Sequence, residues 1–121
     1  MKITTIESDV PYLMAPEDFD LIREARFARD YTKIHEVCDG LIATGQSNAD
    51  VLWWKGYAYE CQHDYVAAED HWMRSMRSTH PLYSEAVNSL DRLYRITNQP
   101  AKANELDRMI EEDCDASHRP D

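Results

Sequence analysis

At 121 residues the chain has the length of one domain. A content of 43% hydrophobic and 30% charged residues fits a folded globular protein and excludes a disordered one, while three glycines are too few for a turn-rich all-β sandwich. Thirteen basic against 23 acidic residues leave a net charge of −10, a field that repels phosphate backbones and anionic lipid and so excludes nucleic acid and membrane surfaces as expected partners.

In chain order, residues 1–15 mix Ile3, Ile6, Val10, Tyr12, Leu13 and Met14 with acids and Pro11, without helical period, and read as an extended arm. Pro16 suits a first helical turn, where its missing N–H would be unpaired anyway. The helix it opens places Leu21, Ile22, Ala25 and Ala28 on one face. Asp30 is expected to cap a second helix carrying Ile34, Val37, Cys38, Leu41 and Ile42, loosened over Gly40–Gly45. Asn48 or Asp50 can cap a third, about Ala49–Gln62, and Asp64 a fourth that ends before Pro81. Ser84–Thr97 is the fifth, apolar at Val87, Leu90, Leu93 and Tyr94. Pro100 opens a sixth through Ala103, Leu106, Met109 and Ile110, and residues 115–121 read as a polar, frayed tail. Six helices with short connections predict an all-α stack of helical hairpins.

The spacing repeats. Asp30-Tyr31 recurs as Asp64-Tyr65, and Gln99-Pro100 follows at a similar interval. Ala25, Tyr59 and Tyr94 share one register, and Ile34, Ala68 and Ala103 another. Cys38 matches Trp72, but the third copy has Asp107 there. The middle unit reads Leu52-x2-Lys55-Gly56-x2-Tyr59, then Ala68-x3-Trp72, then Pro81. In these residues the chain resembles the tetratricopeptide (TPR) repeat family, whose pattern is W-x2-L-G-x2-Y…A-x3-F…P. Lys55 replaces the leucine of that pattern, Pro81 comes one residue late, and Ile22 and Asp91 stand at the glycine position in the outer units. The resemblance implies a right-handed superhelical stack of three hairpins, about residues 16–48, 49–82 and 83–114. Gly56 and Ala68 would mark a close helix crossing, with Tyr59 and Trp72 filling the space around it. The sixth helix, polar at Lys102, Glu105, Arg108, Glu111 and Glu112, suits the outer cap that stacked repeats need.

Little in the sequence points to an enzyme. Cys38, Cys61 and Cys114 are an odd number without metal-type spacing, and read as reduced thiols in a reducing compartment. The acidic residues near the N-terminus do not suit a signal peptide, and no apolar run reaches the roughly 18 residues of a membrane span, so a cytosolic location is expected. Cys61 with His63 and His71 lacks the second close pair of a tetrahedral metal set. A Cys61–His63 nucleophile pair lacks an orienting third group, and Gly40 and Gly45 form no phosphate loop. Neither a metal nor a cofactor is expected.

The resemblance implies that the first helix of each hairpin lines a concave groove. Its outward positions would be Phe19, Arg23, Arg26 and Phe27, then Trp53, Tyr57 and Glu60, then Asn88, Arg92 and Arg95. Trp, Tyr and Arg are the side chains that dominate binding hot spots. The family's clamp for a terminal carboxylate uses lysine and asparagine, and here Phe19 and Arg23 occupy those slots of the first repeat. The expectation is therefore a non-enzymatic module that binds a partner peptide or helix, similar in size, acidity and repeat number to small TPR secretion chaperones. The alternative is a structural subunit, a homodimer or scaffold assembled through the arm or the groove.

Overall fold

The computed structural model describes residues 13–118, with side chains as far as residue 114. Six α-helices follow one another: α1 Pro16–Phe27, α2 Tyr31–Ala43, α3 Ala49–Cys61, α4 Tyr65–Arg77, α5 Ser84–Ile96 and α6 Pro100–His118. No strand occurs among the described residues, and no helix there is long and apolar enough to cross a membrane. Each helix packs against the next in the chain. The expected arm lies outside the described residues as far as residue 12, and so do residues 119–121 of the expected tail. The rest of that tail corrects the reading: α6 continues as regular helix to His118.

Local chemistry sets the helix starts. Pro16 occupies the first turn of α1, with Glu17 and Asp18 beside the positive end of its dipole. The Asp30 carboxylate accepts from the Lys33 N–H at 3.1 Å, and Asp64 accepts from the Ala67 N–H at 3.2 Å. Of the two candidates before α3, Asn48 is the cap, accepting from the Val51 N–H at 3.0 Å. Asp50 instead accepts from the Met14 N–H at 3.1 Å. That bond, with Asn48 donating to the Leu13 carbonyl at 3.4 Å, ties the chain before α1 to the start of α3. Met14 is the side chain buried there, and Leu13 stays half exposed. Gly40 does not loosen α2, which runs three residues further before Gly45 turns the chain at φ +84°.

The repeat reappears in the backbone. Arg29, His63 and Asn98, 34 and then 35 residues apart, all adopt left-handed φ values of 57°, 65° and 55°. After each, an N–H reaches back five residues: Asp30 to the Ala25 carbonyl, Asp64 to Tyr59 and Gln99 to Tyr94, at 2.8–2.9 Å. This is the Schellman closure of a helix C-terminus, used three times to join α1 to α2, α3 to α4 and α5 to α6.

Two apolar clusters form the interior. One gathers Met14, Ile22, Ala25, Ile34, Cys38, Val51, Trp54 and Ala58, from α1 to α3. The other gathers Ala68, Trp72, Met76, Ala86, Leu90, Leu93, Tyr94 and Leu106, from α4 to α6. Trp53 and Tyr57 of α3 pack against both. The crossing of α3 and α4 is closest at Gly56, where an added Cβ would lie 2.4 Å from Trp72 Nε1. Trp72 cannot yield, being fully buried and donating that Nε1–H to the Trp53 carbonyl at 3.0 Å. Ser75 on the same helix donates to the Ala49 carbonyl at 2.7 Å.

Lys55, in the place of the pattern's leucine, is only 6% exposed. Its ammonium donates to Asp39 at 2.8 Å and to His35 Nδ1 at 3.1 Å, and sits 5.2 Å from the Tyr59 ring centre. The aliphatic stem fills the crossing of α2 and α3 while the charge reaches a half-solvated carboxylate. Among the described side chains of α6 only Leu106 is fully buried, with Ala103, Met109 and Ile110 half-buried, while Asp107 is exposed.

The same substitution at two helical glycines is expected to have opposite signs. Gly56→Ala forces a methyl into the Trp72 ring and should lose about 1–3 kcal/mol in urea unfolding. Gly40→Ala meets nothing within 4 Å and should gain about 0.5–1 kcal/mol from helix propensity. A Gly56→Ala variant as stable as the parent would contradict the crossing described here.

Candidate functional site

Contacts between odd-numbered helices run start to start and end to end. Phe19 of α1 lies 6.1 Å from Trp54 of α3, and Arg26 near the end of α1 lies 5.9 Å from the Tyr57 ring. Trp53 Nε1 donates to Ser89 Oγ of α5 at 2.9 Å, and Glu60 at the end of α3 pairs with Arg92. The helices α1, α3 and α5 are therefore parallel neighbours and share a face. Even-numbered α2 and α4 cross α3 in the opposite sense, as Lys55–Asp39 with His35–Gln62 and Trp72–Trp53 with Ser75–Ala49 require.

Aromatic rings occupy the centre of that face. Trp53 stacks on Tyr57 at 5.8 Å with 18° between planes, and Trp54 meets both edge-on at 4.8 and 5.3 Å. Trp54 is buried, whereas Trp53 and Tyr57 are half-buried and keep surface toward solvent. The adjacent tryptophans thus divide the work: one fills the first core and the other spans to α5. Phe19 is half-buried against Trp54 and serves packing as much as surface.

The arginines differ in how far they are committed. Arg92 makes a two-point contact with the largely buried Glu60 carboxylate, which holds its guanidinium more firmly charged than usual, and it lies 5.8 Å from the Trp72 ring. Arg95 pairs with Asp91 one turn back, and Arg23 with Asp20 at 3.3 Å, both exposed contacts worth little. Arg23 also lies over the Phe19 ring. Arg26 meets the Tyr57 ring and hydroxyl. Asn88 is exposed on α5, and Phe27, at the end of α1, is 87% exposed. Of the ten sequence-derived positions, Phe19, Arg26, Trp53, Tyr57, Glu60 and Arg92 touch across helices. Arg23 and Arg95 pair within their own helix, and Asn88 and Phe27 face outward.

Sequence reasoning missed Tyr31 and Cys61. The Tyr31 ring meets Tyr57 edge-on at 6.5 Å, and the Cys61 thiol lies near enough to both hydroxyls to raise them. For Tyr31 the thiol is the leading cause; Tyr57 is raised first by burial and then by the thiol, against the pull of Arg26. Cys61 and Tyr57 lie one helical turn apart on α3, so the spacing was readable, but nothing local pointed to Tyr31 across the turn. A cleft of about 220 Å³ on the opposite side also went unread: Met73, Leu106 and Met109 line it, beside a Glu69 held by the Tyr94 hydroxyl at 2.7 Å and by Lys102. No three His, Cys, Asp or Glu side chains among the described residues gather as a metal set.

Neither a family model, a curated protein nor a solved structure matches this chain.

The cysteines offer a direct check of this geometry. Burial pushes the Cys38 thiol up to about 12, whereas Cys61 is half-exposed and Cys114 exposed. Ellman's reagent at pH 8 should therefore label Cys61 and Cys114 in the native protein and reach Cys38 only on unfolding. Because the folded-state value is the higher one, the stability held by neutral Cys38 is complete below about pH 8.5 and is lost as pH climbs toward 12. Rapid labelling of three thiols in native protein would contradict the first core.

Proposed function

We infer that the chain is a non-enzymatic, three-repeat, TPR-like module, in which α1, α3 and α5 hold an extended peptide or a helix of a partner protein. A chaperone or adaptor role follows from that reading. The observation that carries it is the parallel run of these three helices, which pools Trp53 and Tyr57 of the second hairpin with arginines of the first and third. The three matching turns at intervals of 34 and 35 residues support the TPR-like assignment independently of side chains. Half-buried aromatics flanked by arginine are the side-chain chemistry that concentrates binding energy at interfaces. Glu60 and Arg92 hold each other, so the α5 end of the face recognises chiefly through shape and apolar contact. Arg23 and Arg26 leave the α1 end receptive to carboxylates.

Site-specific photocrosslinking in the native host tests this reading. Benzoylphenylalanine at exposed Asn88 or Arg23 should capture a heterologous protein, whereas the same group at exposed Asp70 of α4 or Arg108 of α6 should not. Capture only from α4 and α6 would move the site to the other side. Capture of a second copy of the chain from Asn88 would favour the self-assembling subunit. Labelling of Cys61, which lies beside Tyr57, should slow at least several-fold when the captured partner is added to pure protein.

A further inference from the structure

Because α1, α3 and α5 are parallel, their C-terminal ends, and the three turns that follow them, lie along one edge of the molecule. This edge is unusually apolar for a chain carrying a charge of −10. Phe27 and Ile96, the last residues of α1 and α5, are 87% and 58% exposed. Tyr65 and Val66, the first residues of α4, are 37% and 80% exposed. These four account for most of the large exposed hydrophobics among the described residues. At the α1 corner, Phe27 stands in a cavity of about 300 Å³ that it shares with Arg23, Arg26 and Arg29. Arg26 and Arg29 make no ion pair with a carboxylate among the described residues, and Arg23 has only its exposed contact to Asp20. The acids nearest the turns, Asp30 and Asp64, are engaged by backbone N–H groups as helix caps.

We propose that this turn edge is a second docking surface, for an acidic segment of a partner protein whose apolar side chain packs on Phe27 while its carboxylates meet Arg26 and Arg29. Charge complementarity selects the occupant. Three guanidinium groups around an exposed ring suit a carboxylate-flanked apolar residue, and a lysine-rich segment would be repelled. Val66 and Ile96 extend the apolar track across the other two turns, so an extended segment can continue past the first contact. The surface shares Arg23, Arg26 and Phe27 with the α1 end of the proposed groove and to that extent rests on the same reading, while Arg29, Val66 and Ile96 belong to the turn edge alone.

Fluorescence anisotropy tests this with two labelled 12-residue peptides, one of Glu and Asp interspersed with Leu and Phe, the other with Lys in place of every acid. The full chain should bind the acidic peptide saturably in about 150 mM salt, where the long-range field of the −10 chain is largely screened, lose affinity as salt rises further, and bind the lysine peptide more weakly. Phe27→Ser with Arg29→Asn should weaken the acidic peptide at least tenfold; both side chains are exposed, and asparagine tolerates the left-handed φ of position 29, so the thermal melt should stay that of the parent. An Asn104→Lys control, exposed on α6 away from both surfaces, should leave affinity within twofold. No saturable binding up to about 1 mM, equal binding by the double variant, or stronger binding of the lysine peptide would overturn the proposal. So would a concentration-dependent dimer in sedimentation that Phe27→Ser abolishes, because a second copy would then be the occupant.

Discussion

The contact of Trp72 with Gly56 is the constraint on which the rest of the molecule depends. The indole lies where any side chain at position 56 would be, and its Nε1–H is spent on the Trp53 carbonyl. That bond reaches across α3 to the residue whose own ring spans to Ser89 of α5. One buried indole thus sets how closely α4 approaches α3, and the neighbouring tryptophan sets how α3 meets α5. Trp53 and Tyr57 pack against both apolar clusters at this seam. The residues proposed to meet a partner are thus among those that join the halves, so occupancy of Trp53 and Tyr57 would act on the coupling between the first and last hairpins.

The excess of acid is handled locally rather than by long-range balance. Asp30 and Asp64 are caps, Asp50 anchors the segment before α1, Asp39 meets Lys55, and Glu60 and Glu69 each hold a cation across helices. Burial raises Asp50 above the usual carboxylate range, while the Met14 N–H pulls it back. What remains on the outer surfaces is net acid, except around the end of α1.

Helix count, order and starts were legible because each rests on short-range chemistry: Pro16 and Pro100 in first turns, Asp30, Asn48 and Asp64 as caps, and apolar periodicity between them. The Gly56 crossing was legible for a similar reason, since a glycine and a tryptophan at fixed offsets allow few geometries. Orientation of long polar side chains was not. Whether Arg92 faces a ligand or Glu60 depends on a contact 32 residues away, and the grouping of Tyr31 with Cys61 depends on how a turn folds back. Lys55 was visible as a departure from the pattern, but its partners, Asp39 and His35, were not. Gly40 misled because a helix can carry a glycine when both of its sides are already committed, here at about 1 kcal/mol relative to alanine.

The three turn residues carry a consequence for how this chain has been shaped. A left-handed backbone costs a residue with a Cβ roughly 1–2 kcal/mol that glycine avoids, and asparagine suffers less than arginine or histidine. Arg29 and His63 hold that conformation all the same, each at the lip of an exposed edge. Selection for a rigid scaffold alone would favour glycine at both positions. A drift experiment that rewarded only thermal endurance should accordingly enrich glycine at 29 and 63, and one that also rewarded partner capture should resist it at 29 first.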